Sequence, residues 1–211
     1  GSAQLAALTR TQIANLAPTQ VGALSSTQVA VLTAAQFSAL TPTQIASISN
    51  SGIAGLTAEK LQALSRTQLQ NLTPAQIGAL AATQVGALDT AQISLLSAAQ
   101  IGGLASTAVA ALAVTQLDAM GATAMAALSA SGIAGLTRTQ LASLDATQMA
   151  ALTTAQVAAL STTALSGLTA SNIGALTTTQ LGSLSAQGIA ALATEAIATL
   201  SSTQVASLPA T

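Results

Sequence analysis

The sequence predicts an all-α fold, an elongated α-solenoid of about 26 very short helices with one helix in each eight-residue repeat. Three observations predict it. Leucine recurs every eight residues from position 8 to position 208, with only Ile48 and Met120 in its place. A second apolar column keeps the same spacing from position 5 to position 205. No insertion or deletion breaks this register, and such self-similarity indicates a repeat architecture.

The residues between the two columns predict that each octad is a separate helix. A continuous helix would leave the columns about 80° out of line at every repeat, because it turns 3.6 residues per turn. Ser, Thr or Asp follows the leucine at 19 of 25 positions, and Gln stands three residues later in 17 of 26 units. This pairing is the capping box of a helix N-terminus. Pro18, Pro42 and Pro74 all fall just after the cap, where a helix tolerates proline.

We number the octad from its cap, so that Gln is at position 4, the second apolar column at position 5 and the leucine at position 8. Each octad is expected to form a helix of six or seven residues with its apolar side chains on one face. Positions 6 and 7 are nearly always Ala, Gly or Ser, which lets neighbouring backbones approach closely. One octad buries too little to fold alone, so stability requires stacked copies.

The expected packing is a right-handed superhelix with two short helices per turn. The alternative is a β-solenoid with Gln and Thr ladders. The abundant Ala and Leu, together with an apolar spacing that alternates five and three, count against this alternative. Gly1 and Ser2 resemble a tag-cleavage remnant, and residues 3–211 are expected to form a single tandem-repeat domain.

Several octads lack the position-4 glutamine. Glycine replaces it at Gly52, Gly132 and Gly188, alanine replaces it at several positions, and Lys60 and Asn172 replace it once each. One interpretation is a kink or a ligand contact. The interpretation favoured here is repeat drift, because loss of a capping residue costs only about 1 kcal/mol.

Composition argues against catalysis, and no catalytic, cofactor-binding or metal-binding residue is predicted. The chain has no His or Cys, which removes the usual zinc ligands and a Cys–His nucleophile. Its five carboxylates are too scattered to form an acid–base pair. Glu59 and Lys60 are interpreted as a solvated ion pair. Arg10, Arg66 and Arg138 share one octad position but form no basic patch, so nucleic acid is not an expected partner. No apolar run is long enough to span a membrane.

Residues 152–159, Leu-Thr-Thr-Ala-Gln-Val-Ala-Ala, resemble the octapeptide tracts of very large bacterial exoproteins that are described as haemolysin-like, haem-utilisation or adhesion proteins. The resemblance covers the whole chain after the first two residues. It implies secretion, an extracellular or cell-surface location, and a non-catalytic role as a rod-like spacer or stalk of an adhesin.

Two other functions are considered. The solenoid face of Thr, Ser and Ala is an alternative binding surface for protein, glycan or, less favoured, ice. Residues 40–50 resemble the opening of a transcription-activator-like effector repeat, which implies DNA reading, but the octad returns after eight positions. The low charge also favours self-association.

Overall fold

The computed structural model describes residues 1–209, and within that range the chain is helical with no β-strand. It contains 26 short α-helices, one in each octad, which confirms the predicted all-α solenoid and excludes the β-solenoid. The helices are α1 (Ser2–Ala6), α2 (Arg10–Ala14), α3 (Pro18–Gly22), α4 (Ser26–Val31), α5 (Ala34–Phe37), α6 (Pro42–Ser47), α7 (Asn50–Ile53), α8 (Ala58–Gln62), α9 (Arg66–Gln70), α10 (Pro74–Gly78), α11 (Ala82–Gly86), α12 (Thr90–Leu95), α13 (Ala98–Gly102), α14 (Ser106–Ala110), α15 (Val114–Asp118), α16 (Ala122–Ala127), α17 (Ala130–Ile133), α18 (Arg138–Ser143), α19 (Ala146–Ala151), α20 (Thr154–Ala159), α21 (Thr162–Leu165), α22 (Ala170–Ala175), α23 (Thr178–Leu181), α24 (Ala186–Ala190), α25 (Thr194–Ile197) and α26 (Ser202–Ser207).

The chain divides into two compact units. The first is Gly1–Gly103 and holds α1–α13, and the second is Leu104–Thr211 and holds α14–α26. Each unit is built by the same rule. The single domain over residues 3–211 stays a prediction.

Each helix begins as the capping pattern predicts. All 19 Ser, Thr and Asp residues at position 1 accept a hydrogen bond from the backbone N–H of position 4. The cap backbone is extended, as at Thr41, where φ is −69° and ψ is 158°. The three prolines occupy the first helical residue of α3, α6 and α10. These local predictions are confirmed.

Most of the helices are shorter than predicted, although nine of them have six residues. The helices have four to six residues rather than six or seven. The leucine N–H closes a tighter turn with the position-5 carbonyl, as in the 3.1 Å bond from Leu16 to Ile13. The leucine itself is often extended, with φ −61° and ψ 137° at Leu32, because its backbone must lead into the next cap. The octad therefore uses the leucine for the turn and, where the helix has four or five residues, the residues just before the leucine as well.

The predicted two helices per turn are wrong, because within each unit helices stack on the third helix after them. In the first unit α1 packs on α4, α3 on α6 and α10 on α13. In the second unit α14 packs on α17 and α16 on α19. A helix of four to six residues is only about 6–9 Å long. The two large apolar side chains of each helix are buried in a common core. Three successive helices surround this core in one turn, instead of two helices forming two layers. The hand of the superhelix stays a prediction.

The two apolar columns form the core of each unit. Position 5 is fully buried through most of the chain, including Phe37, the sole aromatic residue. The position-8 leucines lie beside it and are 1–8% exposed from Leu24 to Leu184. Burial decreases at the ends, where Ile197 is 38% and Val205 51% exposed. The core is thus continuous along each stack and open where the stack stops.

Small residues at position 7 allow the helices to touch through their backbones. A Cβ atom added at Gly55 would overlap the carbonyl oxygen of Ser26 in the preceding turn, and one at Gly135 would overlap that of Ser106. No residue that the structure describes has a positive φ, so no glycine there is needed for left-handed backbone. Glycine is used here for space, which confirms the predicted close approach.

We predict that Gly55→Ala lowers the free energy of unfolding by about 1–3 kcal/mol, because the new methyl group must separate two stacked backbones. Gly174→Ala is the matched control. It lies inside α22 with nothing within 4 Å of an added Cβ, so it should raise stability by up to about 1 kcal/mol through helix propensity. Urea unfolding of both variants, followed by circular dichroism, measures the difference. Equal effects from the two substitutions would contradict the contact.

Candidate functional site: the buried glutamine column

Apart from Lys60, the charged side chains are dispersed over the surface. Arg10, Arg66 and Arg138 are exposed at the first helical residue, as their shared octad position predicts. Asp89 and Asp145 are helix caps. Among residues 1–209, no three His, Cys, Asp or Glu side chains lie close enough to hold a metal ion. Arg10 borders a shallow, open depression with Thr11, Ala14 and Ala39.

The polar feature that distinguishes this fold is a column of buried glutamines. Twelve position-4 glutamines are only 2–7% exposed, and Asn172 at the same position is 3% exposed. Burying a primary amide is unfavourable unless its donors and acceptor are all paired. The surroundings of these side chains therefore decide whether the column stabilises the fold.

Gln100 shows how the amide is satisfied. Its Oε1 accepts a hydrogen bond of 2.9 Å from the backbone N–H of Ser97, which completes the capping box of α13. Its Nε2 donates to the carbonyl oxygens of Leu69 at 2.8 Å and Leu72 at 2.7 Å, which belong to the preceding turn. One side chain therefore caps its own helix and joins two turns of the solenoid.

The same bond recurs along both units. Nε2 reaches the position-8 carbonyl 28 residues earlier, at 2.5–3.4 Å, and often a second carbonyl 30 or 31 residues earlier. In the first unit these donors are Gln36, Gln44, Gln68, Gln76, Gln84 and Gln100. In the second they are Gln140, Gln148, Gln156, Gln180 and Gln204, with Asn172 making the equivalent bond through Nδ2. Gln92 instead donates to Leu61, 31 residues earlier.

The sequence predicted only the capping half of this interaction. The other half joins residues 28 positions apart, so no local rule reveals it. Gln occupies position 4 in 17 octads. At Gln20, Gln84 and Gln116 alanine replaces the cap side chain, yet Oε1 still accepts a hydrogen bond from the cap backbone N–H. The local bond therefore accounts for glutamine at these positions, and no signal in the sequence points to the bond between turns.

Lys60 replaces glutamine and copies its contact between turns. Its side chain is 4% exposed, and Nζ donates to the carbonyl oxygen of Ala30 at 2.8 Å. The interpretation of Lys60 as a solvated partner of Glu59 was therefore wrong, because the position-4 side chain points inward whatever its charge. Burial lowers the pKa of Lys60 below its ordinary 10.5, and the nearby charge of Glu59 acts in the opposite direction.

The glycine octads close the space that glutamine fills elsewhere. A Cβ at Gly52 would lie 3.1 Å from the carbonyl oxygen of Leu24, and one at Gly132 would lie 2.8 Å from that of Leu104. Ser49 and Ser129 still cap their helices at 3.0 Å. At Gly52 and Gly132 the backbone therefore lies close to a carbonyl of the preceding turn.

The network as a whole is saturated. Every buried side-chain nitrogen and oxygen in the described residues has a hydrogen-bond partner. The column therefore holds turns together, and its amides point to carbonyls of the fold instead of into a cavity. The glutamine column joins adjacent turns through hydrogen bonds. It is the strongest candidate for the element on which function depends.

We predict that Gln100→Glu destabilises the protein strongly at neutral pH and recovers as the pH falls. A carboxylate keeps the Oε1 cap but faces the Leu69 and Leu72 carbonyls without a donor, which costs about 1–3 kcal/mol for each unsatisfied group. Protonation restores one donor. Gln12→Glu is the control, since Gln12 is exposed and makes only the capping bonds with Thr9. Urea unfolding between neutral pH and about pH 4 compares them. Equal sensitivity of the two variants to pH would contradict the inter-turn bond.

Lys60 gives a second prediction. Since burial lowers its pKa, the unfolded chain binds the proton more tightly, and stability should rise as the pH rises through the interval that ends at 10.5. The chain has one lysine and no Tyr or Cys, so no other side chain titrates there. Lys60→Gln should abolish this dependence and stabilise the fold at neutral pH. Urea midpoints measured across the alkaline range test both statements, and a fall in wild-type stability would refute the burial argument.

Comparison with known families supports the repeat. Residues 13–50 and residues 149–186 match the family model of the ALTTAQ repeat, one segment in each unit. No curated protein matches the chain. Within residues 1–209, none of the helices combines the length and the hydrophobicity that crossing a membrane requires. The structure and the two matches together identify a tandem-repeat protein made of short helices.

Proposed function

We propose that this chain is a non-catalytic structural repeat that acts as a spacer, with a length set by the number of octads. The observation that carries the proposal is the glutamine bond from one turn to the turn before it. Because glutamines in both units make this bond, the repeat itself supplies an interaction that joins one turn to the next.

The stability of such a spacer comes from interactions between adjacent turns. A turn of three octads buries its apolar columns and its amides only against adjacent turns, so stability grows with each copy. The described surface supports the same role. Position 3 is exposed in every octad and carries Thr fourteen times, and apart from Lys60 the charged side chains are exposed and scattered. A spacer needs such a solvated surface and no particular reactive group.

We further propose that the spacer belongs to a large secreted or cell-surface bacterial protein of the adhesin type, where it would hold a binding region away from the envelope. The support is the resemblance of the octad to tracts of bacterial exoproteins. In this setting the chain would work outside the cell and without a cofactor.

A second candidate is a binding module. The exposed threonines of stacked helices form a regular array, such as Thr19, Thr43 and Thr67 on α3, α6 and α9. Their methyl and hydroxyl groups are available to a repetitive ligand such as a glycan or another protein. A binding module requires the exposed threonines themselves, whereas a spacer requires only the stacked helices that carry them.

Deleting residues 73–96 tests the spacer. These three octads are α10–α12, one turn, so we expect the remaining chain to fold and its maximum dimension to shorten by about 8–10 Å, the usual distance between packed helices. Deleting residues 73–80 should shorten it by about a third of that amount. Small-angle scattering and circular dichroism measure both.

The matched control is deletion of residues 73–76, which breaks the register and should unfold part of the first unit. A chain that keeps its length after losing a full turn, or that loses its fold after an in-register deletion, would defeat the spacer proposal. In that case the threonine array becomes the better candidate.

A further inference from the structure

Residues 161–168 form an octad of the second unit in which alanine occupies position 4. Ala164 lies in α21 and is fully buried. Its methyl group supplies neither the oxygen nor the nitrogen of a carboxamide. In the preceding octad Gln156 uses both atoms. Its Oε1 accepts a bond of 2.7 Å from the N–H of Thr153, and its Nε2 donates one of 2.7 Å to the carbonyl oxygen of Leu128.

The equivalent backbone groups around Ala164 lack this partner. They are the N–H of Ser161 and the carbonyl oxygen of Leu136, which lies 28 residues before Ala164. Within residues 1–209 no group accepts a hydrogen bond from the first or donates one to the second. The Ser161 hydroxyl still caps α21 through a 3.1 Å bond from the N–H of Ala164. Leu136 is only 2% exposed, and a buried carbonyl without a donor is unfavourable.

The turns have not moved together to close the space. Glycines at position 7 report their separation, because an added Cβ would overlap the position-2 carbonyl oxygen 29 residues earlier. The overlap is deepest at Gly55 and Gly135, whose octads have glycine at position 4. It is smaller at Gly167, in the alanine octad, and there it equals the overlap at Gly103, where Gln100 places an amide between the turns. The alanine octad therefore keeps the spacing of a glutamine octad.

We propose that Ala164 marks an internal hydration site, in which one water molecule takes the place of the carboxamide between α18 and α21. The water oxygen accepts a hydrogen bond from the N–H of Ser161. Its two hydrogens donate to the carbonyl oxygens of Leu136 and of Ile133, which lies 31 residues earlier, as the second acceptor of Gln156 does. Three bonds are usual for a buried water. The four heavy atoms that glutamine has beyond alanine fill more than the roughly 30 Å³ that one water needs.

A water bridge differs from a glutamine because it is not covalently part of the chain. The water exchanges with solvent whenever α21 moves away from α18, so a ligand from the solvent holds this junction together. Position 4 can therefore lose its amide in two ways: glycine brings the turns closer, and alanine keeps their spacing and binds water. The inference concerns the interior of the second unit and does not rest on the proposed spacer role.

Relaxation dispersion of the water ¹⁷O nucleus tests the site, because it counts waters that stay in a protein for longer than the protein takes to rotate. Ala164→Gln supplies the carboxamide and should remove the signal of one long-lived water. Gln156→Ala is the reciprocal variant in the neighbouring octad and should add the signal of one. Circular dichroism establishes that both variants are folded.

A crystal structure of the unaltered chain gives an independent measurement. A water oxygen should lie about 2.7–3.2 Å from the nitrogen of Ser161 and from the carbonyl oxygen of Leu136. Ala164→Met fills the space without a donor or acceptor for these groups, so its urea midpoint should fall, whereas that of Ala164→Gln should not. A folded Ala164→Gln variant with unchanged dispersion, a crystal structure without this water, or an unchanged midpoint for Ala164→Met would overturn the proposal.

Discussion

The structure depends on one requirement: an amide buried between two turns must have every donor and acceptor paired. Glutamine meets this requirement with an oxygen that closes its own helix and a nitrogen that reaches the previous turn. The side chain is long enough to span both, and asparagine at position 172 retains only one of the bonds to the previous turn. If each octad contributed only its two apolar residues, one turn could pack on the next in more than one register. The paired amide supplies that register, because a stack displaced by one residue would leave its buried polar groups without partners.

The parts of the fold that were predictable are those determined within eight residues. Caps, the first-turn prolines and the two apolar columns are local, and Thr41, Pro42 and Ile45 each occupy the predicted place. The number of helices per turn is not determined within a single octad. It depends on how sharply the chain turns after a leucine such as Leu32 and on how closely backbones such as those at Gly55 and Ser26 approach. The column of amides was missed for the same reason, since its partner carbonyls lie one turn away.

The substitutions at position 4 show how the stack accommodates variation. Glycine lets the backbone move into the vacated space at Gly52, and lysine replaces the amide donor with an ammonium at Lys60. Alanine at position 108 is itself buried. At Gly52 and Lys60 the substitution changes the contact with the preceding turn while the helix keeps its cap. A linear array can therefore tolerate variation that a globular core, in which each residue touches many elements, would not.

The absence of left-handed backbone in the described chain has an evolutionary consequence. Many repeats carry an obligatory glycine or asparagine in their turn, and every new copy must preserve it. Here every residue of the turn has a conformation that any L-amino acid can adopt. A copied octad can therefore fold without a special residue in its turn. Copying whole octads therefore extends the stack without a special turn residue, and the residues that a copy must keep are the two apolar columns, the capping pair and the small residues between the columns.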